Sequence, residues 1–84
     1  MEINTTEIGG EYMEVLKNII EIRKERRINY GDSFMKSTAN NLLVMAKEKI
    51  LRFETSINPK EDDLIDSVNY IIFSICVMRL KNEN

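Results

Sequence analysis

Between Glu61 and Leu80 the chain is apolar on more than one side of a helix. Leu64, Val68, Ile71, Ile72, Ile75 and Met78 recur at helical spacing, and Phe73, Cys76 and Val77 carry the apolar surface well beyond that stripe. A helix that is apolar most of the way round needs cover on both sides. The segment therefore predicts a helical fold in which it packs against its own chain and also against another copy, giving a dimer or a tetramer built from dimers.

Its beginning is well marked. Pro59 stands just ahead, and Glu61, Asp62 and Asp63 supply the acidic first turn that opposes the partial positive charge of a helix start. Two further helices precede it. The first is expected from about Thr5 or Thr6, or after Gly9-Gly10, to about Arg27, with Tyr12, Val15, Ile19 and Ile22 as its stripe, widened by Leu16 and Ile20. The turn formers around Gly31 end it, and Asp32 or Ser33 is available to cap a second helix running from about Phe34 to Phe53. Leu42, Leu43, Met45, Ala46, Ile50 and Phe53 form that helix's expected buried side. Thr55 to Lys60 breaks the chain before the third helix, whose inward set is expected to be Leu64, Val68, Ile71, Ile72, Ile75 and Met78. The predicted fold is all-α, with three main helices in an antiparallel bundle. It forms one domain over residues 1–84 with an N-terminal arm at 1–8, completed by oligomerisation.

Size and composition narrow the chemistry. A chain of 84 residues has a core near the lower limit of what burial alone stabilises, and its one Cys allows no internal disulfide. Cys76, inside an apolar run, reads as a small buried thiol, which points to a reducing, cytoplasmic setting. No apolar run is long enough for a membrane span, and Met-Glu-Ile-Asn-Thr-Thr lacks the features of a signal peptide. With 12 basic and 14 acidic residues and a formal net charge of −2, no global attraction to nucleic acid or anionic membranes is expected. The absence of His removes the commonest general base and zinc ligand. Any chemistry must come from carboxylates, Lys, Arg and a bound ion.

Four constellations are candidates. Asp62, Asp66 and Asn69 fall at i, i+4 and i+7 on one face of the third helix, hard oxygen ligands at a spacing suited to magnesium holding a phosphate. The same row also suits a solvated face. Lys49 and Arg52, three apart, can grip a polyphosphate, although cations in a last helical turn are favoured by the dipole alone. In Tyr30-Gly31-Asp32-Ser33 an aromatic ring could stack on a base while the Gly lets backbone donors approach a phosphate. Glu14, Asn18, Glu21 and Glu25 form an acidic ridge on the first helix that could face the third, although Glu alternating with Lys17, Arg23, Lys24 and Arg26 fits an exposed face laced with weak ion pairs.

Taken in order, Ile22-Arg23-Lys24-Glu25-Arg26-Arg27, Tyr30-Gly31-Asp32-Ser33-Phe34, Lys49-Ile50-Leu51-Arg52-Phe53, Glu61 to Asp66 and Asn69-Tyr70 resemble the small helical "nucleotide modification associated" domain (type 1) of phages and bacteria, a relative of the MazG-like all-α nucleoside triphosphate pyrophosphatases. The resemblance covers about residues 15 to 80. It implies a nucleotide-binding helical oligomer with magnesium held by acidic residues and a triphosphate cut between its α and β phosphates. On this resemblance Asp62 and Asp66 match the acidic positions of the last helix, with Asn69 beside them. Lys49 and Arg52 match its basic pair, and Tyr30 and Asp32 its YGD turn. The chain departs from MazG-type enzymes in lacking a Glu-x-x-Glu pair on the helix before the last.

Three functions follow as expectations. As a pyrophosphohydrolase, Asp62 and Asp66 with Glu21 or Glu25 would hold magnesium, Lys49 and Arg52 would stabilise charge on the phosphates, and a metal-bound water would attack. As a binder without chemistry, the same pocket would keep a nucleotide intact, for instance a host immune signal sequestered by a phage-type protein in the host cytoplasm. As an adaptor, the oligomer alone would matter and the polar rows would be plain surface.

Overall fold

Helix follows helix along the chain, and no strand occurs among the described residues. In the computed structural model these are residues 4–81, apart from the side chain of Tyr30. The elements are α1 (Thr5–Tyr30), a short 3₁₀ turn (Ser33–Lys36), α2 (Ala39–Thr55) and α3 (Glu61–Lys81). The backbone contacts divide the chain into two units, Met1–Gly31 and Asp32–Asn84.

The first unit is α1. Asn4 caps it, its side-chain oxygen accepting the Glu7 N–H at 2.8 Å, so helix begins at Thr5 and includes residues 5–8, which the sequence pattern assigns to an arm. It continues past the expected end at Arg27 to Tyr30. Gly31 ends it with φ 60° and ψ −139°, a conformation that favours Gly, and its N–H donates to the Arg27 carbonyl at 2.8 Å. The Arg23 guanidinium donates to the Gly31 carbonyl at 3.2 Å and braces the same corner. Of the expected stripe, Tyr12, Val15, Leu16 and Ile20 are exposed.

The second unit is an antiparallel hairpin of α2 and α3. Contacts that pair early residues of α2 with late residues of α3 define the direction: Ala39 meets Ser74, Lys49 meets Asp66, and Arg52 meets Asp63. α2 starts at Ala39, five residues after the expected Phe34, because the Thr38 hydroxyl caps it by accepting the Asn41 N–H at 3.1 Å. The residues ahead form the 3₁₀ turn, closed by Met35 N–H to Asp32 carbonyl and Ser37 N–H to Phe34 carbonyl, each at 3.0 Å. Phe34 stacks on Phe73 of α3 with ring centroids 4.3 Å apart, and Tyr70 meets Phe73 edge-on at 6.4 Å. At the same end the Lys81 ammonium donates to the carbonyls of Met35 and Ser37.

The seam between α2 and α3 is built from small and apolar groups at its centre. Leu42 and Ala46 of α2 and Ser67 and Val77 of α3 are buried. Ala46 and Ser67 have little side chain, which lets two helix backbones approach closely, and the Ser67 hydroxyl is satisfied by the Leu64 carbonyl at 2.7 Å. On α2 the expected inward set divides: Leu42 and Ala46 are buried, Ile50 and Phe53 half-buried, and Leu43 and Met45 exposed.

α3 departs most from expectation. Leu64, Val68, Ile71, Ile72, Ile75 and Met78, the set expected inward, are all 37–45% exposed. The helix instead turns a second row toward α2, containing Asp63, Ser67, Tyr70, Ser74 and Val77, with Lys81 at its end. On this face the acids of α3 meet the cations of α2, Ser74 reaches the Ala39 carbonyl, and Phe73 stacks on Phe34. Each of these contacts is lost if α3 rotates to bury its aliphatic row. No helix among the described residues is long and apolar enough to cross a membrane.

Candidate functional site

Two residues of α2 and two of α3, each pair three apart in sequence, face one another across the hairpin. Lys49 Nζ lies 3.4 Å from an Asp66 carboxylate oxygen, and Arg52 Nη1 lies 3.6 Å from an Asp63 oxygen. The result is a ladder of two ion pairs close to the connecting loop. Both separations exceed the 2.7–2.9 Å or so of a charge-assisted hydrogen bond, so the pairs are loose contacts. The carboxylates are the sheltered members, with side chains 15% exposed at Asp63 and 17% at Asp66, whereas Lys49 is 26% and Arg52 67% exposed.

Asn69 stands one turn beyond Asp66 and is only 4% exposed. Its side-chain Nδ2 has no hydrogen-bond partner. A buried donor left unpaired costs about 1–3 kcal/mol, so this amide is held in place at the expense of stability. Buried unpaired groups are rare enough in folded proteins that each calls for an explanation, and a ligand acceptor is one.

The structure therefore joins part of the expected constellation. Lys49, Arg52, Asp66 and Asn69 lie along one stretch of the hairpin, and Asp66 and Asn69 are turned away from bulk water. Asp62 is exposed, and the partner of Arg52 is Asp63. Asp63 was legible only as a helix-dipole residue; the signal that would have found it is its place four residues before Ser67 on the row that faces α2.

The YGD turn lies between α1 and the 3₁₀ turn. Tyr30 closes α1, and its side chain lies outside the described residues. The Gly31 N–H, one of the backbone donors of this turn, is taken by the Arg27 carbonyl. Asp32 is exposed and precedes the 3₁₀ turn without a side-chain capping bond.

Among the described residues no three Asp, Glu or Cys come together as a group able to hold a metal ion. Asp66 faces Lys49, Asp62 is exposed on α3, and Glu21 and Glu25 are exposed on α1 in the other unit. Hard divalent cations need several oxygen ligands converging on one point.

Chemically, the ladder offers fixed positive charge beside oxygen acceptors. A guanidinium has five N–H donors, and Arg52, in loose contact with Asp63 and largely in solvent, has donors available to an anion. Asp63 and Asp66 can accept from hydroxyl or amino groups. No known protein-family model matches the chain, and neither a curated protein nor a solved structure does.

Proposed function

We propose that this protein binds a nucleotide through its phosphates, within a homo-oligomer, and releases it unchanged. The supporting observation is the pairing of a loose cationic ladder, Lys49 and Arg52, with the buried, unpartnered amide of Asn69 one turn from Asp66. In this reading the exposed Arg52 guanidinium takes a phosphate bidentately and Lys49 adds a point charge. Asp66 accepts from a sugar hydroxyl or an exocyclic amine, and Asn69 donates to an acceptor that enters with the ligand. The order of motifs resembling the nucleotide modification associated family supports the same reading.

Binding is preferred to hydrolysis because Asp66, the acid that the enzymatic reading places on the metal, is engaged by Lys49. The decisive experiment is mass spectrometry of small molecules released from the purified protein, followed by calorimetry with that compound or with a nucleotide panel. Stoichiometric uptake of intact nucleotide, lost in Arg52→Ala, is expected. Release of pyrophosphate with magnesium, abolished in Asp66→Ala, would replace this reading with the pyrophosphohydrolase. Absence of binding across the panel would leave the adaptor reading, which the exposed aliphatic row of α3 favours.

A further inference from the structure

α3 carries two rows at heptad spacing, offset by one residue. The first, Asp63, Ser67, Tyr70, Ser74, Val77 and Lys81, includes Asp63 and Ser74 in contact with α2, the buried Ser67 and Val77, and Lys81 on the 3₁₀ turn. The second, Leu64, Val68, Ile71, Ile75 and Met78, alternates steps of four and three, contains only aliphatic residues and Met, and is 37–45% exposed throughout, with Ile72 beside it at 41%. Steps of this kind form the stripe by which helices pack side by side with knobs in holes. The row spans roughly 21 Å of helix at 1.5 Å per residue. It leaves a few hundred Å² of apolar surface open, the size at which an exposed patch marks an interaction site.

We infer that this row is a two-fold interface in which α3 packs antiparallel against α3 of a second copy, with Ile71 at the axis. Charge selects both the occupant and the direction. The first turn of α3 holds Glu61 and Asp62 exposed and the last holds Arg79 exposed, whereas Asp63 and Lys81 are taken up within the second unit. Antiparallel self-pairing sets the acidic end of one copy beside the basic end of the other, whereas parallel pairing would bring like charges together. Pairing centred on Ile71 places Leu64 opposite Met78 and brings Val68 within one residue of Ile75. Glu61 and Arg79, on the same flank of the row by helical period, then meet across the copies. Such an interface is self-complementary, as a closed two-fold dimer requires.

Area agrees with the same occupant. A standard interface buries about 800 Å² per partner, of which roughly 500 Å² is apolar in homodimers. The exposed row supplies most of that apolar share. The rest of the interface would come from the flanking charged residues. The hairpin's own fully covered apolar residues are few, Leu42, Ala46 and Val77, so covering the row on association also supplies core that a small unit otherwise lacks. The interface is independent of whether the ladder binds a nucleotide.

Sedimentation equilibrium of the full chain tests it. The wild type is expected to be dimeric at micromolar concentration, and Ile71→Glu monomeric with its far-ultraviolet helical signal retained. Arg79→Glu should weaken the dimer about tenfold, and adding Glu61→Arg should restore it, since the swapped charges again oppose. If Ile71→Glu loses its helical signal, Ile71→Cys in a Cys76→Ala background replaces it. Mild oxidation should then give a covalent dimer, while Leu51→Cys on α2 in the same background should not. A wild-type monomer at about 100 μM, a dimeric helical Ile71→Glu, failure of the charge swap to restore association, or no cross-link at position 71 each overturns the inference.

Discussion

The Ser74 hydroxyl donates a 2.8 Å hydrogen bond to the backbone carbonyl of Ala39, a residue 35 positions earlier at the start of α2. It ties the open end of the hairpin and fixes how α3 is rotated against α2. Ser74→Ala is expected to destabilise the protein by about 1 kcal/mol, the usual net worth of one hydrogen bond. Urea unfolding should show a lower midpoint with an unchanged slope.

The ion-pair ladder is expected to be weakly coupled and salt-sensitive. A double-mutant cycle with Lys49→Met and Asp66→Leu should give about 0.5–1 kcal/mol for the partly buried pair, and one with Arg52→Met and Asp63→Leu less, because Arg52 is mostly in solvent. Repeating the cycles at about 1 M salt, where screening acts within roughly 3 Å, should lower both values.

Asn69→Leu separates stability from binding. Replacing a buried, unpaired amide with an apolar group of similar shape should raise stability by about 1 kcal/mol while abolishing nucleotide uptake. Thermal unfolding and calorimetry on the same sample measure both, and a destabilised variant would mean that Nδ2 has a favourable role in the free protein.

Gly9 and Gly10 lie inside α1, and a Cβ at either would meet nothing within 4 Å. Gly9→Ala and Gly10→Ala should each stabilise the helix by about 0.5–1 kcal/mol, seen as greater ellipticity at 222 nm. Gly31→Ala should do the reverse, since its φ of 60° disfavours an L side chain.

The number of helices, the break at Thr55 to Lys60 and the start of α3 at Glu61 were legible because Pro59 and an acidic first turn are strong local signals. The start of α2 was not, because Phe34 to Lys36 fits a helical pattern, and only the Thr38 cap separates the 3₁₀ turn from the helix. The rotation of α3 was misread for a different reason. Periodicity identifies an aliphatic row and assigns it inward, but it does not say which of two adjacent rows the same chain will cover. The partners on the covered face lie far away in sequence: Ala39, Lys49, Arg52 and Phe34. Among the candidate residues, Lys49, Arg52, Asp66 and Asn69 stand out from their spacing on helices. Asp63 was masked by the dipole explanation, and Asp62, although on the same row as Asp66, remains in solvent.

The bonds from Lys81 to the Met35 and Ser37 carbonyls reach back across almost the whole second unit. During synthesis the 3₁₀ turn is made some forty residues before the ammonium that holds it. The Lys81 latch therefore closes only after the last turn of α3 has left the ribosome, later than the Ser74 bond and the Phe34–Phe73 stack at the same end, and shortening α3 by a single turn would remove that latch and leave the other two in place.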